Sequence, residues 1–191
     1  ATRRRWHRRV GTILERTYAA RIDQLSAMLG DQFERGGVPE RAAGYFLSAA
    51  EKALAVFAND EALEFTTRGL ALVDRQDPVA FALLALRETI DDRRGDRLVQ
   101  RRTLADLEDV ARRSGERDRV CDVLRRKIAF HRALGDRTEE AAAIAELSNT
   151  ASGEGRWHAV ALEAEATLQV NIGRSDVAET YGREALSLIH I

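Results

Sequence analysis

The chain has 191 residues, and 45% of them are apolar, which is enough to bury a sizeable core and argues against a disordered tail. Thirty basic and thirty-one acidic residues leave a net charge of −1, which argues against a nucleic-acid-binding surface spread over the whole chain. The basic residues are nearly all Arg, with Lys52 and Lys127 the two lysines. This preference, together with abundant Ala, is typical of a bacterial genome of high GC content.

Cysteine usage and hydropathy favour a soluble, cytoplasmic protein. Cys121 is the one cysteine, so no intramolecular disulfide can form, and we interpret it as a small apolar residue on a helix. The longest apolar run, Pro78 to Leu86, is much shorter than the roughly 20 residues that cross a bilayer. The arginine-rich start lacks the apolar block of a secretory signal. Because it also lacks Met, and 187–191 form an uncapped apolar end, we expect a fragment of a longer protein.

Apolar residues three and four positions apart predict a series of helices. Residues 4–35 form one long helix or two, with Gly11 as the weak point. The following helices are predicted at 39–57, after Asn59 and Asp60, at 78–92, 97–113, 117–134, 138–151, 156–172 and 176–189. The helix that begins at Pro78 is apolar nearly all round, so we expect neighbours to cover it on both sides. No run shows the alternation of a β-strand, and the predicted fold is all-α.

Regularly spaced glycines separate the later helices. They recur every twenty residues, each followed by a charged residue: Gly95, Gly115, Gly135 and Gly155. Glycine readily takes the left-handed conformation that closes a helix, and a polar neighbour can cap the next one. Two further breaks are predicted at Gly36 to Pro39 and at Asp77-Pro78, where Asp77 caps a helix that starts with proline.

This spacing predicts a helical solenoid, in which each helix packs on its sequence neighbours. We expect a right-handed α-α superhelix of about nine antiparallel helices, forming one domain over residues 1–191. Residues 1–36 would link to an upstream domain, and residues 37–191 would form helical hairpin repeats.

Several residues fit the pattern of a tetratricopeptide repeat. Leu29 to Phe33 fits the Leu-Gly-x-x-aromatic signature of its first helix, and Ala42, Phe46 and Ala49 fit its second. In this signature, small residues let two helices approach while an aromatic ring fills the remaining gap. Ala178, Tyr181 and Ala185 form a similar second-helix set near the C-terminus. The chain departs from the pattern in three ways. Ser26 stands where the repeat usually has Trp, no proline follows the second helix, and the later helix pairs span nearer forty residues than the usual 34. HEAT-like packing is the alternative.

A wider resemblance covers roughly the first seventy residues. It is carried by His7 to Gly11, Phe33 to Gly36, Ala49 to Leu54 and Phe57 to Leu63. These runs are similar to the stretch behind the nucleotide-binding module of large bacterial signal-transduction ATPases, which include MalT-like and LuxR-type regulators and ATPase-linked adenylate cyclases. The resemblance implies a helical sensor or assembly arm, with nucleotide hydrolysis and DNA binding or cyclisation in other domains.

The sequence offers no catalytic, cofactor or metal site. Lys52 and Lys127 have no phosphate-binding glycine loop before them, so a nucleotide site would lie upstream. Four histidines are scattered on different predicted helices, away from the face of Cys121: His7, His131, His158 and His190. The paired carboxylates are explained as helix-start charges or solvated faces. We therefore predict that the chain is not an enzyme.

Two arginine clusters and one aromatic residue could serve binding. The first cluster is Arg3, Arg4, Arg5, Arg8 and Arg9, and the second is Arg93, Arg94, Arg97, Arg101 and Arg102. The first could contact a phosphate backbone or an acidic domain, but a solvated helix end that packs through Trp6 and Val10 is favoured. We expect nearby acids, Asp91, Asp92, Asp96 and Asp106, to pair with the second across helix turns. Trp157 could anchor a peptide, but the start of an apolar stripe favours the core.

The leading hypothesis is a non-catalytic interaction or sensor scaffold of a larger regulator, binding a peptide or partner domain on a concave helical surface. The sequence does not identify the partner-binding residues. The alternatives are a structural spacer that orders or oligomerises neighbouring domains, and nucleic-acid binding through the arginine clusters, which would be steeply salt-dependent.

Overall fold

The computed structural model describes residues 2–152 and 155–189, and within these ranges it contains helices and no strand. The all-α prediction is therefore confirmed. The α-helices are α1 Thr2–Thr17, α2 Ser26–Gly36, α3 Pro39–Ala55, α4 Asn59–Leu70, α5 Pro78–Arg94, α6 Arg97–Ser114, α7 Arg117–Leu134, α8 Arg137–Ala151, α9 Gly155–Asn171 and α10 Ser175–Ile189. The chain divides into two compact units, Ala1–Val110 and Ala111–Ile191. The right-handed superhelical course stays a prediction.

The first segment consists of two helices, but Gly11 does not separate them. The break is a short 3-10 helix, Ala19–Leu25, which contains a non-helical residue at Arg21. Gly11 lies buried within α1, where an added Cβ would be 2.9 Å from Cζ of Phe33. The expected weak point was wrong because this glycine makes room for an aromatic ring of α2.

The glycine hinges have the predicted backbone conformation. Gly95 and Gly135 end α5 and α7 with φ of 71° and 72°, in the left-handed region. Gly155 also has a positive φ, but it is the first residue of α9, and Ser152 at φ 58° ends α8 instead. The predicted cap at Asp77 is confirmed, because its Oδ1 accepts a hydrogen bond from the Val79 amide at 2.8 Å.

In the first unit, the helices from α1 to α5 each pack on the next one along the chain. Leu29, Phe33, Ala42 and Phe46 form a fully buried cluster between α2 and α3. A Cβ added to Gly30 would lie 2.5 Å from Cε1 of Phe46, so the ring occupies the space that the glycine leaves. The close packing expected from Leu29 to Phe33 and from Phe46 is therefore present.

Arginines tie together helices two apart in the sequence. Arg41 of α3 pairs with Glu15 of α1, whose other oxygen accepts a hydrogen bond from the Tyr45 hydroxyl at 2.5 Å. Burial and this hydrogen bond raise the pKa of Tyr45 to about 12. In the same way Arg68 of α4 pairs with two carboxylates of α2, while its guanidinium lies 4.2 Å from the centroid of the Phe46 ring. These contacts combine charge pairing with cation–π attraction.

Helix α5 is covered except at its two ends, in line with the prediction from its apolar sequence. No residue from Val79 to Asp91 is exposed. Two of its carboxylates are buried against α6: Glu88 accepts from Gln100 Nε2 at 2.7 Å, and Asp91 accepts from Thr103 Oγ1 at 2.6 Å. Hydrogen bonds are needed here because an unpaired buried carboxylate would be costly.

Among the residues that the structure describes, no helix combines the length and apolar character needed to span a bilayer.

Candidate partner-binding groove

Three helices of the second unit share one apolar core. Helix α8 packs against both α7 and α9, and α7 also contacts α9 directly. The buried residues of this core are Cys121, Leu124, Ile128, Ala143, Ile144, Leu147, Ala151, Trp157, Ala161, Ala164 and Leu168. On α8, Ala143 and Ile144 point inward, whereas Ala141 is exposed. With α8 holding α7 and α9 side by side, one face of each helix remains open between them.

A groove of about 260 Å³ lies between these open faces. It is lined by Arg125, Ile128, Ala129 and Arg132 of α7 and by Val160, Glu163, Ala164 and Thr167 of α9. Each helix thus contributes residues at positions i, i+3, i+4 and i+7, the spacing of a single helix face. The lining combines aliphatic side chains with two arginines and one glutamate.

The arginines of the groove are held by carboxylates beside it. Arg132 Nε donates to Glu140 Oε1 at 2.7 Å, and its Nη2 reaches the Ala164 carbonyl of α9 at 3.4 Å. Glu140 is fully buried and also accepts from Arg137 Nη1 at 2.6 Å. Arg132 therefore connects α7 to both α8 and α9, and its position is set before any ligand arrives.

The other groove arginine is held within its own helix. Arg125 donates to Asp122 Oδ1 through Nε at 3.2 Å and through Nη2 at 2.8 Å, and Arg126 donates to the second oxygen. Burial acts to raise the pKa of Asp122, but these two guanidinium groups hold it below its ordinary value. Asp122 thus stays ionised, and it orients Arg125 while leaving that side chain 44% exposed.

Trp157 belongs to the core, as favoured from the sequence. Its exposed fraction is 9%, and its Nε1 donates to Asp118 Oδ1 of α7 at 2.9 Å. The Arg156 guanidinium lies 4.5 Å from the ring centroid. Since both the ring and its polar atom are already engaged, Trp157 fixes α9 against α7.

The first arginine cluster divides between two faces of α1. Arg8 Nη2 donates to the Gly36 carbonyl at 3.2 Å, and Arg4 lies against Gly37. All five arginines are exposed, and Arg3, Arg5 and Arg9 lie away from the contact with Gly36 and Gly37. The expectation that this end packs through Trp6 and Val10 was wrong, because these side chains are 61% and 38% exposed and α1 packs through the face that carries Gly11.

The second arginine cluster is only partly neutralised within its own hinge. Arg97 pairs with Asp92 at 2.5 Å, as expected from the local spacing. Arg94 pairs instead with Asp60 of α4, and Arg93 Nη1 donates to the Leu54 carbonyl of α3 at 2.8 Å. Asp106 pairs with Arg75, from the turn before α5, at 2.7 Å.

The histidines and the cysteine do not converge. His7 Nδ1 bonds Gln32 Oε1 at 2.9 Å, whereas the Nδ1 atoms of His131 and His158 are buried without a partner. His190 lies outside the described residues. Cys121 is completely buried, and burial raises the pKa of its thiol. Within 2–152 and 155–189, no three His, Cys, Asp or Glu side chains are placed to hold a metal ion.

Sequence reasoning did not identify the groove or one exposed turn. Ala129 and Thr167 look unremarkable in a helix, and only the i, i+3, i+4, i+7 spacing repeated on α7 and α9 could have suggested a shared surface. The turn between α3 and α4 exposes Val56 and Phe57 by 73% and 76%. Phe57 has a φ of 62°, which is uncommon for a bulky residue.

Comparisons of the chain with protein-family models, with curated proteins and with solved structures found no match. The tetratricopeptide-like repeat and the link to signal-transduction ATPases therefore stay predictions from Leu29 to Phe33 and from the other runs of the first seventy residues.

Proposed function

We propose that the chain is a non-catalytic protein-interaction or sensor scaffold that binds a peptide or a partner helix in the groove between α7 and α9. The observation that carries the proposal is the pair of matching helix faces that line this groove. A groove between two helices is suited to an amphipathic segment, whose apolar side chains enter the groove.

The size of the groove favours a peptide over a small molecule. Sites for small ligands occupy roughly 300–1,000 Å³ and enclose most of the ligand. The groove holds about 260 Å³ and is open to solvent along one side, so it accommodates one or two side chains of a longer segment. An aliphatic residue against Ala129 and Val160, which are exposed and half-buried, would supply most of the binding energy.

The charges at the rim indicate which residues would flank that anchor. Arg125 and Arg132 are 44% and 34% exposed, and their orientation is already fixed by Asp122 and Glu140. Preorganised guanidinium groups bind carboxylates well because little side-chain entropy remains to be lost. A segment with an acidic residue next to an aliphatic one therefore complements the α7 side of the groove.

The wider biological setting belongs to the same proposal. We infer from the resemblance of the first seventy residues that the scaffold is part of a cytoplasmic regulator with an upstream nucleotide-binding domain. Binding in the groove would then bias that domain. The right-handed tetratricopeptide-like course of the helices belongs to this inference too.

A structural spacer is the second candidate, and one contact favours it. Arg132 reaches across the groove to the Ala164 carbonyl, so the protein partly closes the groove with its own side chain. In a pure spacer, that contact would serve only to hold α7 against α9.

A peptide library displayed on phage and selected against the purified chain would separate these functions. Ala129 is exposed and lines the groove, so Ala129→Trp fills it without altering the core. Ala145→Trp, at an exposed position of α8, is the matched control. We expect the selected peptides to bind Ala129→Trp at least about tenfold more weakly than the original chain, which corresponds to about 1.4 kcal/mol. Their affinity for the control variant should equal their affinity for the original chain. Peptides that bind both variants equally, or a selection without enrichment, would favour the spacer.

A further inference from the structure

Helix α1 has two faces, and only one of them is used by the fold. On the packed face, Gly11 receives the Phe33 ring, Arg8 reaches the Gly36 carbonyl, and Glu15 pairs with α3. The opposite face carries Trp6 and Ile13, whose side chains are 61% and 52% exposed. Large apolar side chains that share an exposed face indicate an interaction surface.

The exposed face has the spacing of a coiled-coil seam. Arg3, Trp6, Val10, Ile13 and Thr17 follow one another at intervals of three, four, three and four residues, which are the a and d positions of a heptad. The β-branched Val10 at an a position and Ile13 at a d position lie at its centre. We name these five residues the α1 seam. A helix of this kind buries its seam against one other helix.

Unpaired arginines flank the α1 seam. Arg9 and Arg16 occupy the g positions beside Val10 and Thr17, and both are exposed. Together with Arg3 and Arg5, they make no ion pair within the described residues, whereas the one acid of α1, Glu15, is engaged by Arg41. Charges at the g positions select the partner of a coiled coil, so a complementary helix carries acidic residues there.

We propose that the α1 seam docks an acidic amphipathic helix of a partner protein. A second copy of α1 is disfavoured, because it would bring the same exposed arginines and no free carboxylate: its one acid, Glu15, is paired with Arg41. A nucleic-acid backbone would satisfy the arginines but would leave Trp6 and Ile13 in water. The three-residue apolar stripe matches one helix. This surface lies on a different unit from the groove between α7 and α9, so each can be tested without the other.

Fluorescence anisotropy with designed peptides tests the proposal on the whole chain. The probe is a fluorescein-labelled helix of about three heptads with Leu at a and d and Glu at e and g. The control peptide has Lys in place of Glu. Val10→Asp removes the centre of the α1 seam, and Val170→Asp is its matched control, because Val170 is 57% exposed on α9. Far-ultraviolet circular dichroism checks that both variants are folded.

We expect the Glu peptide to bind at least tenfold more tightly than the Lys peptide, Val10→Asp to weaken binding about tenfold, and Val170→Asp to leave it within about twofold. Arg9→Glu combined with Arg16→Glu should reverse the preference between the peptides. Equal binding of the two peptides, or an unchanged affinity of Val10→Asp, would overturn the proposal. The proposal would also be overturned if duplex DNA or anionic vesicles bound more tightly than the Glu peptide and if Val10→Asp left that binding unchanged.

Discussion

Substituting Gly30 by Ala should destabilise the first unit although alanine is the better helix former. In a helix interior, alanine is favoured over glycine by about 1 kcal/mol. At Gly30, however, the new Cβ would lie 2.5 Å from Cε1 and 2.6 Å from Cδ1 of Phe46. That ring is fully buried, is stacked with Phe65 at 6.1 Å and lies under the Arg68 guanidinium, so it has little room to move.

The magnitude follows from the balance of these two effects. Overpacking a well-filled core costs about 1–3 kcal/mol, and the confinement of Phe46 favours the upper end. After subtracting the helix preference, we expect Gly30→Ala to lower the free energy of unfolding by about 2 kcal/mol. Gly44→Ala is the matched control, because a Cβ at Gly44 meets nothing within 4 Å. It should stabilise the chain by up to about 1 kcal/mol.

Urea unfolding followed by circular dichroism gives both differences, and hydrogen exchange of the α2 and α3 amides shows whether they arise in the first unit. Gly30→Ala that is as stable as the original chain would refute the reasoning, because it would mean that Phe46 does not need the space above the glycine. Destabilisation by Gly44→Ala would also refute the reasoning, because it would show that the helix preference of alanine over glycine does not operate at these positions.

Three further predictions concern polar groups that are buried or half-buried. Glu140→Gln should destabilise the second unit by about 2 kcal/mol in urea unfolding, because it replaces two charge-assisted hydrogen bonds to arginine, and the exposed neighbour variant Glu139→Gln should be neutral. The thiol of Cys121 should react with a disulfide reagent only as fast as the chain unfolds, since it is completely buried, and rapid labelling without urea would contradict its placement. The pKa of the Tyr45 hydroxyl is raised from 10.0 to about 12, so the stability gained from its hydrogen bond to Glu15 should be complete below pH 10.0 and should disappear as the pH rises to about 12. Ultraviolet titration should show that Tyr45 ionises at this high pH, and Glu15→Gln should lower the pKa of Tyr45.

The sequence predicted the helices well because their ends are determined locally. Gly95 and Gly135 take the left-handed conformation that ends a helix without the steric cost of a Cβ. Asp77 precedes a proline, which is favoured at the first position of a helix and disrupts one further along. The exposed middle of the Arg4 to Arg35 segment was harder. Its break lies at Arg21, without glycine or proline, and the two glycines of the segment, Gly11 and Gly30, make room for aromatic rings instead.

Packing between helices was less predictable, since it depends on residues far apart in the chain. Nothing near Arg94 in the sequence indicates that it pairs with Asp60, and nothing near Trp6 indicates that α1 packs through its other face. The groove was missed for the same reason: Ala129 lines a groove only because α8 places α9 beside α7, and the local sequence does not show this. The periodicity of one helix defines its faces, and tertiary structure decides which of them remains open.

The positions of the two tryptophans give each unit its own optical signal. Trp6 belongs to the first unit and is 61% exposed, whereas Trp157 belongs to the second and is 9% exposed. The first indole should therefore emit at longer wavelength and be accessible to iodide, and the second should emit at shorter wavelength and be shielded from it. A helix that covers α1 would protect Trp6 from iodide, while a segment entering the groove beside Val160 would leave Trp6 unchanged. Native emission thus reports which surface a ligand occupies, without any added label.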